Sequence, residues 1–257
     1  MPWKIFIDPG HGGTDPGAVS VGLTKLQESA CTLKIAHKVG AILADNGLQI
    51  GYTRTGDTNV SLAQRCTLAN TAKADCFVSI HINSAFSTSA AGTETFALTA
   101  GGEAEKLAKS VQKSLVQAIK RPDRGVKFAN FAVLRDTRMP AALVEVCFIS
   151  NPTEEALLKS GEFLEQAAMG IAHGILSHLG ITVKEVKEAM INESDIRKIV
   201  REEITIFKKG ADSKPSIGPL GVEFAEAKDL GITDGTRPQG LVTREEAAVM
   251  ALRANKL

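Results

Sequence analysis

The stretch Asp8-Pro9-Gly10-His11-Gly12-Gly13 surrounds one histidine with glycine, which lets the backbone turn tightly and leaves the imidazole accessible. A glycine-rich turn after a strand also suits a phosphate, but neither the GxGxxG nor the GKS/GKT spacing is present. A second histidine, His81, ends the apolar run Cys76-Phe77-Val78-Ser79-Ile80. Open α/β sheets bind ligands at the carboxyl ends of their strands, so the two histidines are expected to face one crevice. Zinc accepts neutral imidazole nitrogen and carboxylate oxygen, and catalytic zinc commonly keeps three protein ligands and one open position. The third ligand is then expected to be a carboxylate. Glu28, where the first long helix begins, is the leading candidate, with complementing the helix macrodipole as its alternative role. Asp8 and Asp15 are rivals, and Asp8 before Pro9 also suits a turn-bracing role.

Glu145 stands inside the otherwise apolar run Ala142-Leu143-Val144-Glu145-Val146-Cys147-Phe148. A buried charge without a partner costs several kcal/mol, so Glu145 needs one. Beside a metal it would serve as a general base, taking a proton from the attacking water and returning it to a leaving nitrogen. The alternative is an ion pair with Arg65, Arg135 or Arg138. His37, His173 and His178 lie on helical patterns, away from strand ends and glycines, and read as surface or capping residues. Asp57, Arg65 and Asn70 read as structural.

These residues need a scaffold that brings strand ends together. Through residue 180, short β-branched runs alternate with helical patterns, the sign of βαβ units around a mostly parallel, twisted sheet with helices on both faces. Strands are expected at Trp3–Ile7, Leu48–Thr53, Cys76–His81, Gly92–Leu98 and Ala142–Val146, with a weaker one at Phe131–Leu134. Ala30, Leu33, Ala36, Val39 and Leu43 recur at helical intervals up to Gly47, and Leu62–Ala72, Glu103–Ile119 and Phe163–Leu179 show similar periodicity.

The 257 residues are 44% hydrophobic and 23% charged, with Lys+Arg 30 against Asp+Glu 29. Residues 1–180 hold 17 basic and 16 acidic residues and the remainder 13 of each, so neither part has a basic excess for nucleic acid or anionic lipid. No apolar run reaches the roughly 18 residues of a membrane span, and no secretory leader is evident, so cytoplasmic synthesis is expected. Cys31, Cys66, Cys76 and Cys147 lack a paired spacing and are expected to be reduced packing residues.

Asp8-Pro9-Gly10-His11-Gly12-Gly13, Glu28, Ser79-Ile80-His81-Ile82-Asn83 and Val144-Glu145-Val146-Cys147-Phe148-Ile149-Ser150-Asn151 together resemble the zinc-dependent N-acetylmuramoyl-L-alanine amidases of cell-wall turnover, sporulation and phage lysis. The likeness covers nearly all of residues 1–180. It implies that His11, Glu28 and His81 hold Zn2+ and that Glu145 is the catalytic glutamate. The implied reaction cleaves peptidoglycan between the lactyl carboxyl of N-acetylmuramic acid and L-alanine. Ile82 and Cys147 depart from the Ala and Gly common in that family, without removing a ligating atom.

Residues 181–210 read as a connecting helix, and its apolar stripe over 183–207 suits either docking on the first domain or pairing with a second copy as a homodimer. Residues 211–257 read as a small, mainly helical domain. Within it, Ala225–Thr236 and Val242–Ala248 are similar to one S-layer homology repeat, which implies a hold on a cell-wall polymer; a small oligomerisation module is the alternative. A wall-degrading domain without a leader suggests a phage endolysin that reaches the wall after release, with a host autolytic or sporulation amidase as the runner-up. A catalytically silent wall-binding protein is a further alternative, disfavoured by the complete set of ligands and glutamate.

Overall fold

A computed structural model describes residues 2–22 and 25–182. In chain order the elements are β1 (Lys4–Pro9), α1 (Glu28–Asp45), β2 (Gln49–Tyr52), α2 (Leu62–Thr71), β3 (Cys76–Asn83) and β4 (Thr93–Ala97). They continue with α3 (Gly102–Ile119), β5 (Asp123–Phe128), α4 (Ala132–Arg135), β6 (Ala141–Phe148), α5 (Pro152–Leu158) and α6 (Gly161–His178). The strands form one six-stranded sheet in the order β2-β1-β3-β6-β4-β5. Each neighbouring pair is parallel except β4–β6. The expected mostly parallel α/β sheet is therefore the observed one.

Strand alternation sends one set of side chains to each face. Ile5, Ile7, Val78, Ile80, Val144 and Val146 point into the larger core, closed by α1, α3 and α6. Phe6, Phe77 and Leu143 point to the smaller core under α2 and α4. Helix α1 buries Cys31, Ile35, Val39 and Leu43 at helical spacing and stops before Gly47, whose φ of 87° suits glycine. Helix α2 starts at a capping box in which Ser61 and Gln64 satisfy each other's backbone N–H groups, an arrangement worth about 1 kcal/mol. Asn151 caps α5 and Ser160 caps α6. All four cysteines are buried and free, as expected.

Two expectations are corrected. Phe131–Leu134 belongs to the short helix α4 and its N-cap, and the strand in this region is β5, which starts eight residues earlier at Asp123 on the sheet's edge. Helix α5 was not anticipated at all. The connecting helix at 181–210, the homodimer contact over 183–207 and the module at 211–257 fall, but for residues 181 and 182, outside the described residues. Among the described residues, no helix is long and apolar enough to cross a membrane.

The topology fixes where chemistry can gather. Because β1, β3 and β6 are adjacent and parallel, their carboxyl ends share one edge, and that edge carries His11, His81 and Glu145.

Candidate metal centre and active site

Beyond Pro9 the chain turns through His11, which has φ 61°. A non-glycine residue there costs about 1–3 kcal/mol unless its surroundings over-determine it. Two buried arginines do so. Arg65 Nη2 donates to the His11 carbonyl at 2.8 Å and Nη1 to the Pro9 carbonyl at 2.7 Å. Arg54 Nε donates to the Pro9 carbonyl at 3.0 Å, and Nη2 to those of Gly10 and Ser29, each at 2.8 Å. The turn's carbonyls, which no strand or helix uses, thereby find donors. Gly10 is constrained by its neighbour: a Cβ there would stand 2.4 Å from His81 Cε1.

Glu28 is buried, and its Oε1 lies 3.2 Å from His11 Nε2 and 2.9 Å from His81 Nδ1 while accepting the Ile82 N–H at 3.0 Å. Its Oε2 accepts the Ala18 N–H at 2.8 Å, which ties the carboxylate to the loop before α1. One donor atom from each of His11, Glu28 and His81 lies within 4.8 Å of the others. The imidazoles meet edge to face, centroids 5.0 Å apart. Asp15 Oδ2 holds His11 Nδ1 at 2.8 Å, leaving Nε2 for the shared centre. Orienting a ligand histidine through its second nitrogen is the usual outer support of a metal site.

The electrostatics describe three groups waiting to share a positive charge. The hydrogen bond to Glu28 raises His11 to about 9, against burial, with Asp15 adding to the rise. Burial would push Glu28 up, but the bonds and charges of His11 and His81 hold it well below the ordinary carboxylate range. His81 is raised too, its partnership with Glu28 outweighing desolvation.

Glu145 stands beside His81 in the β3–β6 register. Its Oε2 is buried and has no hydrogen-bond partner among the described residues. Desolvation raises its pKa to about 7, opposed by the charge of His81 and aided by those of Glu28 and Glu94. A buried polar atom left unsatisfied calls for an explanation, and carboxyls shifted this far by burial cluster at functional sites. The cleft it faces has a volume of ≈ 450 Å³ and runs from His11, Asp15 and His81 past Glu145 to Phe131.

The structure thus brings His11, Glu28, His81 and Glu145 together. The rival Asp8 is fully engaged elsewhere, accepting from Thr53 Oγ1, Arg65 Nη1 and Ser79 Oγ, and it braces the turn. Asp15 touches His11 from outside the triad. The arginines weighed as partners for Glu145 bind elsewhere: Arg65 to Asp8, Arg135 to Asp136, while the Arg138 backbone meets Asn70. His37 binds the Thr55 carbonyl, away from the site. Sequence reasoning missed Arg54 and Glu94. The available signal for Arg54 was a turn of consecutive carbonyls at 9–11 that needed buried donors.

Residues 5–177 match the family described as N-acetylmuramoyl-L-alanine amidase. The sporulation-specific N-acetylmuramoyl-L-alanine amidase of Bacillus subtilis (strain 168) is 41% identical over 175 residues, 67% of this chain and 66% of that protein. The endolysin of Bacillus phage SPP1 is 38% identical over 191 residues, 72% of this chain and 69% of the endolysin. The chain thus spans just under two thirds of the length of the first of these relatives, and 35% of the amidase LytC of B. subtilis. Among solved structures, the catalytic domain of CwlV, an N-acetylmuramoyl-L-alanine amidase from Bacillus (Paenibacillus) polymyxa var. colistinus, superposes with a TM-score of 0.66 at 40% identity, covering 70% of this chain and 99% of that domain. With the match spanning the whole sheet and every residue of the centre, the chain belongs to the N-acetylmuramoyl-L-alanine amidase family.

Proposed function

We propose that this chain hydrolyses the peptidoglycan amide joining the lactyl carboxyl of N-acetylmuramic acid to L-alanine, with Zn2+ held by His11, Glu28 and His81. The observation that carries the reading is the convergence of two imidazoles and a carboxylate beside a second, buried and unpartnered carboxyl on the adjacent strand. Two nitrogens and one oxygen are a donor set that zinc accepts while keeping a position open. When bound, zinc supplies Lewis-acid chemistry, drawing electron density from the scissile carbonyl and making water acidic near neutral pH.

The protein's own groups do the rest. Asp15 fixes the His11 ring, and the Ala18 and Ile82 N–H groups fix both oxygens of Glu28, so the centre is set before substrate arrives. The Glu145 carboxyl, which lines the cleft, takes a proton from the attacking water. The water oxygen bonds the carbonyl carbon, the C–N bond breaks, and Glu145 returns the proton to the nitrogen, which leaves as the amino terminus of alanine. A carboxyl with a pKa near neutrality is suited to both transfers.

In the same reading the protein works at the cell wall, as an endolysin acting after release, and its segment 225–248 holds it to a wall polymer. The relatives include both a phage endolysin and a sporulation amidase, so the host setting uses the same chemistry. The test is one incubation of the full chain with purified sacculi. Free N-terminal L-alanine should appear by mass spectrometry and the protein should sediment with the walls. Cleavage inside the stem peptide, or no product, would remove the amidase assignment; protein left in the supernatant would remove the wall anchor.

A further inference from the structure

On the sheet face that carries the active site, one row of side chains crosses three strands: His81 on β3, Glu145 on β6 and Glu94 on β4, the last directly opposite Glu145 in antiparallel register. Glu94 is buried. Its Oε1 accepts from Asn83 Nδ2 at 2.8 Å, and its Oε2 from Arg124 Nε at 2.7 Å and Lys127 Nζ at 2.5 Å. Despite burial, these cations hold the Glu94 carboxyl below its ordinary range. Two cations from β5 therefore share one oxygen of one carboxylate, leaving a surplus positive charge two strands from Glu145.

That surplus is accessible and fixed in place. The Arg124 and Lys127 side chains are 36% and 41% exposed. Arg124 lies 4.9 Å over the Phe148 ring, and Lys127 Nζ is 6.0 Å from the Phe96 centroid. Phe96 in turn packs edge-on against Phe131, which lines the cleft. One cation neutralises the Glu94 carboxylate, so the second is a surplus of charge, and Glu94 is the one polar partner of Lys127 Nζ among the described residues.

We propose that Arg124 and Lys127 form an anion subsite that receives a carboxylate carried by the substrate residue following the alanine. This rests on the amidase reading above. An extended peptide advances about 3.5 Å per residue, so that carboxylate lies roughly 7 Å beyond the cleaved amide. Strands β6 and β5 are two spacings, about 10 Å, apart, and arginine and lysine side chains span the remainder. Charge-assisted bonds from a pre-oriented guanidinium and ammonium would select a carboxylate over a carboxamide.

The test uses two muramoyl tripeptides in which the second residue is joined to the third through its side-chain carboxyl, so that its α-carboxyl is a free carboxylate in one and a carboxamide in the other. Wild-type protein should show a kcat/KM about tenfold higher for the carboxylate form. Lys127→Met and Arg124→Met, each leaving one cation on Glu94, should bring that ratio to about twofold or below, mainly through KM for the acidic substrate. Because the ratio is read within one preparation, a reduced folded fraction cancels from it. Equal kcat/KM in the wild type, or a ratio retained in both variants, overturns the subsite while leaving the amidase reading intact. No alanine released from either substrate by wild-type protein overturns both.

Discussion

At the residue scale, the four groups of the centre divide into two roles that substitution should separate. Glu145 has no bond to the triad and owes its raised pKa mainly to burial, so Glu145→Gln removes the proton acceptor while leaving His11, Glu28 and His81 in place. Loss of a general base typically costs about 10²–10⁴ in rate, and zinc stoichiometry should stay near that of the wild type. His81→Ala should instead lose the metal itself. Elemental analysis beside an activity assay checks both, and equal metal loss in the two variants would contradict the division. These residues were legible because their types stand out locally: a histidine among glycines, a histidine at a strand end, a glutamate in an apolar strand. For Arg54 the signal lay in the carbonyls at 9–11 that needed donors, not in the arginine itself, and nothing local to residue 54 says that it will fold back onto residues 9 and 10. Glu94 was not legible, because its role depends on the antiparallel pairing of β4 with β6.

At the element scale, what could be read was periodicity, and what could not was an edge. Helices α1, α2, α3 and α6 follow their apolar spacing to within a residue or two. Strand β5 pairs on one side only, and its sequence Asp-Arg-Gly-Val-Lys-Phe shows the charge and glycine that edge strands use against aggregation, which erases the alternating signal. Helix α4 is a single turn, too short for a period to show. The α3–α6 contact gives a sharper case. A Cβ on Gly174 would sit 2.4 Å from Val111 Cα, and one on Gly170 2.7 Å from Leu115 Cα, so the two helices approach backbone to backbone. Gly174→Ala gains up to about 1 kcal/mol of helix propensity, but overpacking against an unyielding backbone costs about 1–3 kcal/mol. Net destabilisation is therefore expected, and a lower urea midpoint with unchanged zinc content would show it. A raised midpoint would mean that α6 can shift.

At the scale of the whole molecule, the centre couples metal, protons and folding. Without metal, His11 has a folded pKa of about 9 against an ordinary 6.5, because its proton bridges to Glu28 and Asp15. A group whose folded pKa is raised contributes stability that is fully present below its unfolded value and is lost as pH rises through the folded one. The metal-free protein should then weaken between about pH 6.5 and 9. Metal reverses this dependence, since it requires neutral imidazoles and must displace the same proton. Its apparent affinity should rise over that window and level off above it. The gap in Tm between zinc-loaded and chelator-stripped protein is set by that affinity, so it should widen as pH goes from 6.5 to 9. Thermal melts of the loaded form at fixed free zinc and of the stripped form in chelator, with proton release measured on zinc titration at pH 7.5, check this. A gap that stays constant across the window, with no proton released, would mean that His11 is already neutral in the metal-free fold and that the Glu28 bridge does not hold it charged.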